Sequence, residues 1–282
     1  MEDLPGLVQS CSIGAMRNLV LLAASALALQ PAAAEAQLPP TGKWTVDFGD
    51  ARCLAYRAYG PESRPLYLLI KPSPIGDVLQ LQLAEKGSDR QGVQEEARLS
   101  FDGGTPIQMS QLRYGSNGKH VRMVNLSRDL TARLAAARAL HWSARGKEYQ
   151  LELGPVDKLV RTVGECRVKL GDYWNGTPEK MAALAKGPRL QAPSIISLFE
   201  SDDYPSQAVT KDQSGMAQVV ALIDEKGGVA DCTVIETSGV AVLDAQTCII
   251  ITRRGKFDAA FGADGMPAKG IYTQRVRWEM SN

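Results

Sequence analysis

Residues 215–236 read GMAQVVALIDEKGGVADCTVIE. Two runs rich in β-formers, Met216 to Asp224 and Val229 to Glu236, flank the four residues Glu225 to Gly228. That pattern predicts a hairpin with glycine where the turn needs positive φ. Upstream, Tyr204-Pro205 opens a short helical segment ending near Lys211. Downstream, Ser238 is placed as the N-cap of a helix running through Arg253, with Asp244 favouring its positive end and Gly255 suiting its C-cap. A last strand is expected from Gly270 to Glu279. The order helix, strand, strand, helix, strand predicts two helices packed on one face of a three-stranded antiparallel sheet.

The preceding region has a different rhythm. Cys53 to Tyr59, Leu66 to Ile70, Val78 to Leu83, Ala97 to Phe101, Ile107 to Arg113 and Val121 to Leu126 read as short strands separated by turn formers. This spacing predicts a mainly-β sandwich or partial barrel. Asp129 to Ala137 is helical in character, and Tyr149, Leu151 and Leu153 return to period-two alternation. Val156, Leu159, Val160, Val163, Cys166 and Leu170 then repeat at three and four, which marks a closing amphipathic helix with Cys166 on its apolar face. The fold class is therefore α+β. Residues 37–174 form the mainly-β N-terminal domain, 175–199 a linker, and 200–282 the small C-terminal domain. The linker is broken by Asn175-Gly176, Pro178, Gly187-Pro188 and Pro193, with one short helix expected at Glu179 to Ala185. As a flexible chain it would span about 25–30 Å.

The 282 residues are 44% hydrophobic and 22% charged, the balance of a folded protein rather than a disordered or fibrous one. A net charge of +1 offers no basic excess for a phosphate backbone, so no nucleic-acid partner is expected. Residues 1–36 read as a secretory signal, with Arg17, an apolar run from Leu19 to Leu29, and Ala34-Glu35-Ala36 as the cleavage site; translation from Met16 fits the charge pattern better. Export predicts an oxidising compartment, the periplasm. Removal of the signal takes Cys11 with it and leaves Cys53, Cys166, Cys232 and Cys248. These allow three pairings, of which the domain division favours Cys53 with Cys166 and Cys232 with Cys248; buried free thiols are the other reading.

Residues 202–280 resemble the C-terminal domain of TonB and related energy transducers of the Gram-negative envelope. The resemblance is carried by Tyr204-Pro205 with Ala208, Gly215, Ile223-Asp224 leading through Gly228-Val229, Ser238-Gly239 with Leu243-Asp244, Arg253-Arg254 with Phe257, and Val276 to Trp278. Asp231-Cys232 and Thr247-Cys248 resemble a disulfide-bearing branch of that family. Two departures stand out. Phe257-Asp258-Ala259-Ala260 replaces the family's Phe-x-Pro-Ala, and neither an inner-membrane helix nor a long Pro-rich spacer is legible. The resemblance thus implies recognition, not force transmission.

It also implies a site. In the family the last strand takes up an extended receptor segment, which maps the binding edge to Ile271, Tyr272, Thr273, Gln274, Arg275, Val276 and Arg277, with Ser201, Asp202 and Asp203 as a second contact stretch. The implied partner is an outer-membrane TonB-dependent receptor or another envelope protein, with neither cofactor nor metal. Self-pairing of the same edge into a homodimeric envelope scaffold is the alternative. A hydrolase in the N-terminal domain is less supported. His120 and His141 are the only histidines, and neither has a second histidine at metal-ligand spacing. Gly115-Ser116-Asn117-Gly118 is a turn rather than a nucleophile elbow. No enzymatic activity is expected.

Overall fold

The structure, a computed structural model, describes residues 37–88, 92–116 and 118–280. The expected signal lies outside the described residues. Nine antiparallel strands form one curled sheet: β1 (Thr45–Phe48), β2 (Cys53–Tyr59), β3 (Leu66–Pro72), β4 (Leu79–Lys86), β5 (Val93–Phe101), β6 (Ile107–Ser116), β7 (Lys119–Leu126), β8 (Ala139–Ala144) and β9 (Lys147–Glu152). Their spatial order is β1-β2-β3-β4-β7-β6-β5-β8-β9. The two ends are stitched together by the segment before β1. Leu38 bridges to Leu151 of β9, and Pro40 bridges to Tyr59 of β2. The mainly-β expectation for this region corresponds to one large curled antiparallel sheet, with β1 added to the strands legible in sequence.

Alternation puts Leu66, Leu68 and Ile70 of β3 and Leu79, Leu81 and Leu83 of β4 on the inner side. They pack there with Leu99, Trp142 and Leu151. Helix α1 (Arg128–Ala136), capped at Ser127 by a hydrogen bond from the Leu130 amide, adds Leu134 to this core. Helix α2 (Asp157–Tyr173) adds Val163, while Cys166, Leu170 and the following Trp174 join a separate apolar cluster.

The rest of the chain builds α3 (Pro178–Ala183), β10 (Arg189–Leu190), α4 (Ser206–Thr210), β11 (Gly215–Ile223), β12 (Val229–Glu236), α5 (Ala241–Arg254), β13 (Phe257–Asp258), β14 (Ala260–Phe261), β15 (Pro267–Ala268) and β16 (Gly270–Trp278). Residues 175–199 are not a random coil. Their strand β10 pairs with β13, and Lys186 bridges to Phe261. The departure Phe257-Asp258-Ala259-Ala260 spans β13, which pairs with β10, and the first residue of β14, which pairs with β15.

The hairpin of β11 and β12 turns as expected, and the glycine at positive φ is Gly227, at +81°. A Cβ on Gly227 would sit 2.0 Å from the Phe257 carbonyl oxygen, so only glycine fits. Helix α5 starts later than expected, with Val240 in place of Ser238 at its N-cap. Its first donors are capped from the large sheet: the Ala241 amide donates to Ser110 Oγ at 3.1 Å and the Val242 amide to Gln94 Oε1 at 3.2 Å.

The C-terminal region packs on the curled sheet at two places. Leu112, with Tyr114 and Met123 beside it, shares a core with Ala241, Val242 and Ile250 of α5. On the opposite side of the small sheet, Val220, Leu222 and Ile271 pack against Cys53, Cys166, Leu170 and Trp174. The Cys53–Cys166 disulfide sits inside this second contact, and Cys232–Cys248 ties β12 to α5. Lys71 of β3 adds an ion pair to Asp231 of β12 at 3.0 Å.

Candidate peptide-binding edge

The small sheet has the order β12-β11-β16, which leaves β16 at one edge. It pairs with β11 in unbroken register from Gly215↔Trp278 to Ile223↔Gly270. Among the described residues, β16 makes no ladder with any other strand and its main chain donates to no turn or loop. An antiparallel edge strand turns alternate N–H and C=O groups outward, so one side of β16 is a row of main-chain groups open to another strand, although the Arg275 carbonyl accepts Gln274 Nε2 at 2.7 Å.

Its side chains divide by face. Tyr272, Val276 and Trp278 join the α5-side core. Trp278 is fixed there by edge-on contacts to Phe199 at 5.4 Å and Tyr204 at 5.3 Å, and its Nε1 donates to Thr247 Oγ1 at 2.9 Å. Tyr272 meets Phe257 at 4.9 Å, and its hydroxyl donates to Gln274 Oε1 at 3.0 Å. On the other face Ile271 is buried, whereas Thr273, Arg275 and Arg277 are exposed. Arg275 reaches across the sheet, donating to Gln218 Oε1 at 2.9 Å and approaching Glu236 at 3.4 Å. Arg277 pairs with Glu279 at 2.7 Å. A shallow cavity of about 230 Å³ opens at the end of the strand between Met216, Arg277 and Trp278.

The segment Ser201–Asp203 is a single 3₁₀ turn just before Tyr204. Ser201 and Asp202 are exposed, but Asp203 is turned inward. Its carboxylate accepts the Glu200 amide at 2.7 Å and both Arg254 terminal nitrogens, one at 2.9 Å. Burial opposes ionisation, yet these donors prevail and hold the carboxyl below the ordinary aspartate range. Asp203 is thus a strut between this turn and α5, and the exposed members of the stretch are Ser201 and Asp202.

The remaining family positions are structural. Tyr204 donates its hydroxyl to the Gln213 carbonyl at 2.7 Å, and Pro205 stands at the start of α4. Gly215 lies so close to Ser238 that a Cβ would be 2.7 Å from its carbonyl oxygen. The Gly228 amide donates to Asp224 Oδ1 at 2.8 Å. Leu243 is fully buried. Asp244, also buried, accepts the Ser238 amide at 2.7 Å and the Thr237 hydroxyl, while the Gly239 amide donates to Thr237 Oγ1 at 3.0 Å. Burial raises the Asp244 carboxyl above its usual range against these hydrogen bonds. Far from the edge, His120 Nε2 accepts the Ser88 amide at 3.3 Å and His141 Nε2 meets Glu148 at 2.6 Å.

Residues 201–280 match the family model of the Gram-negative bacterial TonB protein C-terminal. The C-terminal module is a TonB C-terminal domain. No curated protein and no solved structure is significantly similar to the chain. The family match covers the C-terminal module and not the curled sheet before it, and the family it points to is one of TonB-like, envelope-transport-related proteins. Among the described residues no helix is long and apolar enough to cross a membrane.

Proposed function

We propose that this is an exported, periplasmic protein whose TonB module captures an extended segment of an outer-membrane TonB-dependent receptor, or of another envelope protein, by strand addition to β16. The observation that carries this reading is the position of β16 at the edge of its sheet. Main-chain pairing supplies the affinity, and the exposed Thr273, Arg275 and Arg277, together with the small cavity beside Trp278, read alternate side chains of the incoming segment. Two disulfides suit an oxidising compartment. In this reading the protein binds and does not catalyse, and it needs neither metal nor cofactor.

Neighbouring residues of an antiparallel strand point their N–H groups to opposite sides. Proline at one of the two positions Thr273 and Gln274 therefore removes an outward N–H, and proline at the other removes a ladder bond to β11. The test compares Thr273→Pro and Gln274→Pro for thermal stability and for binding of a fluorescein-labelled peptide from a receptor N-terminal segment. Strand addition requires that the variant with the smaller stability loss still lose peptide binding. Full binding by that variant rejects it. A molecular mass that doubles with concentration, with no peptide bound, would instead identify the edge as a dimer contact.

A further inference from the structure

A second opening lies on the curled sheet, where β5 runs past its neighbour. β5 pairs with β8 only from Arg98↔Ser143 to Phe101↔Leu140. The β8–β9 hairpin then turns back at Arg145 and Gly146, both at positive φ. Residues 93–97 of β5 are left with β6 alone as a strand partner. At Gln94 the gap is filled by a side chain: the amide of Gln207 from α4 accepts the Gln94 N–H at 2.6 Å and donates to the Gln94 carbonyl. Because outward groups alternate, Gln94, Glu96 and Arg98 present their N–H and C=O on this same side. Gln207 satisfies the first of these, and β8 meets the third. Among the described residues nothing on that side hydrogen-bonds the N–H and C=O of Glu96.

These two groups face a cleft of about 840 Å³, lined also by Arg98, Ser143, Arg145, Gln207 and Lys211. That volume lies in the range of about 300–1,000 Å³ for ligand sites. Among the described residues neither Arg98 nor Lys211 forms an ion pair, and Arg145 is 3.7 Å from a Glu95 that Arg113 already holds at 3.1 Å. Of the acids nearby, Glu95 is thus committed and Glu148 faces His141 at 2.6 Å. Among the described residues Glu96 is the lining acid without an ion pair, and it stands against two lining cations without one, Arg98 and Lys211.

We infer that this cleft, built jointly by the curled sheet and α4 of the TonB module, is a receptor for the free carboxyl end of an extended polypeptide. A strand running straight through has only one residue to pair with, since Gln207 and the β8 ladder occupy the positions on either side. A terminal residue needs no more than that. Its N–H donates to the Glu96 carbonyl, one carboxylate oxygen accepts the Glu96 N–H, and the charge lies toward Arg98, Arg145 and Lys211.

The test uses the full chain and fluorescein-labelled hexapeptides of randomised sequence, prepared once as free acids and once as C-terminal amides. The free acids are expected to bind about tenfold or more tightly, the worth of a charge-assisted pair. Arg98→Ala with Lys211→Ala, both on exposed positions, abolishes that difference and leaves receptor-peptide binding at β16 unchanged. Hydrogen exchange at the Glu96 amide slows only with the free acids. Equal binding of acids and amides, a preference that survives the double substitution, or no binding of either set overturns the inference.

Discussion

Gln207 and Gln94 form a reciprocal pair in which one side-chain amide takes the place of a strand. Gln207 accepts the Gln94 N–H at 2.6 Å and donates to the Gln94 carbonyl. The Gln94 side chain is equally occupied, donating to Gln213 Oε1 at 3.1 Å and accepting the Val242 amide at 3.2 Å. One buried residue of the curled sheet thus holds α4, the loop before β11 and the first turn of α5. The TonB module is fixed to the sheet by specific polar contacts as well as by apolar packing, which suits a binding platform better than a domain swinging on a tether.

Gln207→Ala should therefore destabilise the whole folded unit rather than α4 alone. It leaves the outward N–H and C=O of Gln94 unpaired, at a cost of about 1–3 kcal/mol. In thermal melts this amounts to a drop of roughly 2–4 °C for each kcal/mol. Gln207→Glu should cost more, because a carboxylate then faces the Gln94 carbonyl where a donor stood. A melt unchanged in both variants would show that the pair contributes nothing.

Removing the two disulfides should have unequal effects. Cys53 and Cys166 are 113 residues apart, a closure the chain-entropy model values at about 4–5 kcal/mol. Cys232 and Cys248 are 16 apart, corresponding to about 3 kcal/mol. The first bond also lies against Val220, Leu222 and Ile271. Cys53→Ala with Cys166→Ala is therefore expected to lower the denaturation midpoint further than Cys232→Ala with Cys248→Ala, and to speed hydrogen exchange in both α2 and the first residues of β16. Acceleration confined to α2 would show that the bond does not brace the small sheet.

What was legible in the sequence follows from periodicity. Cys53–Tyr59 is bounded to the residue, and the hairpin and the last strand of the TonB module stand within a residue of where their patterns place them, whereas the later helix starts two residues after its expected cap. Elements two residues long, such as β10, β13, β14 and β15, have no period to read. The union of the two modules was hidden for a different reason. Gln94, Ser110 and Gln207 look like solvated polar positions, and only the fold reveals that they are paired with main-chain groups from distant segments. Helix α5 likewise has no local side-chain cap, because its cap comes from the other sheet.

Asp203 and Asp244 should give the TonB module opposing responses to pH. An aspartate has an ordinary value of about 3.9. The Asp203 carboxyl lies below it, held by the Glu200 amide and Arg254 against the effect of burial, so the stability it contributes is complete above that value and is lost as pH falls through the lower folded one. Burial places Asp244 above it, so the folded state favours the protonated acid. Its contribution is greatest below the ordinary value and is lost as pH rises toward the elevated one. Asp203→Asn should therefore flatten the acid side of a urea stability profile below about pH 4. Asp244→Asn should remove the decline that begins near pH 4, while keeping one amide oxygen to accept the Ser238 amide. If the Asp244→Asn profile runs parallel to that of the wild type across this range, the buried carboxyl is ionised in the folded protein without penalty, and the hydrogen bonds from Thr237 and Ser238 outweigh its desolvation.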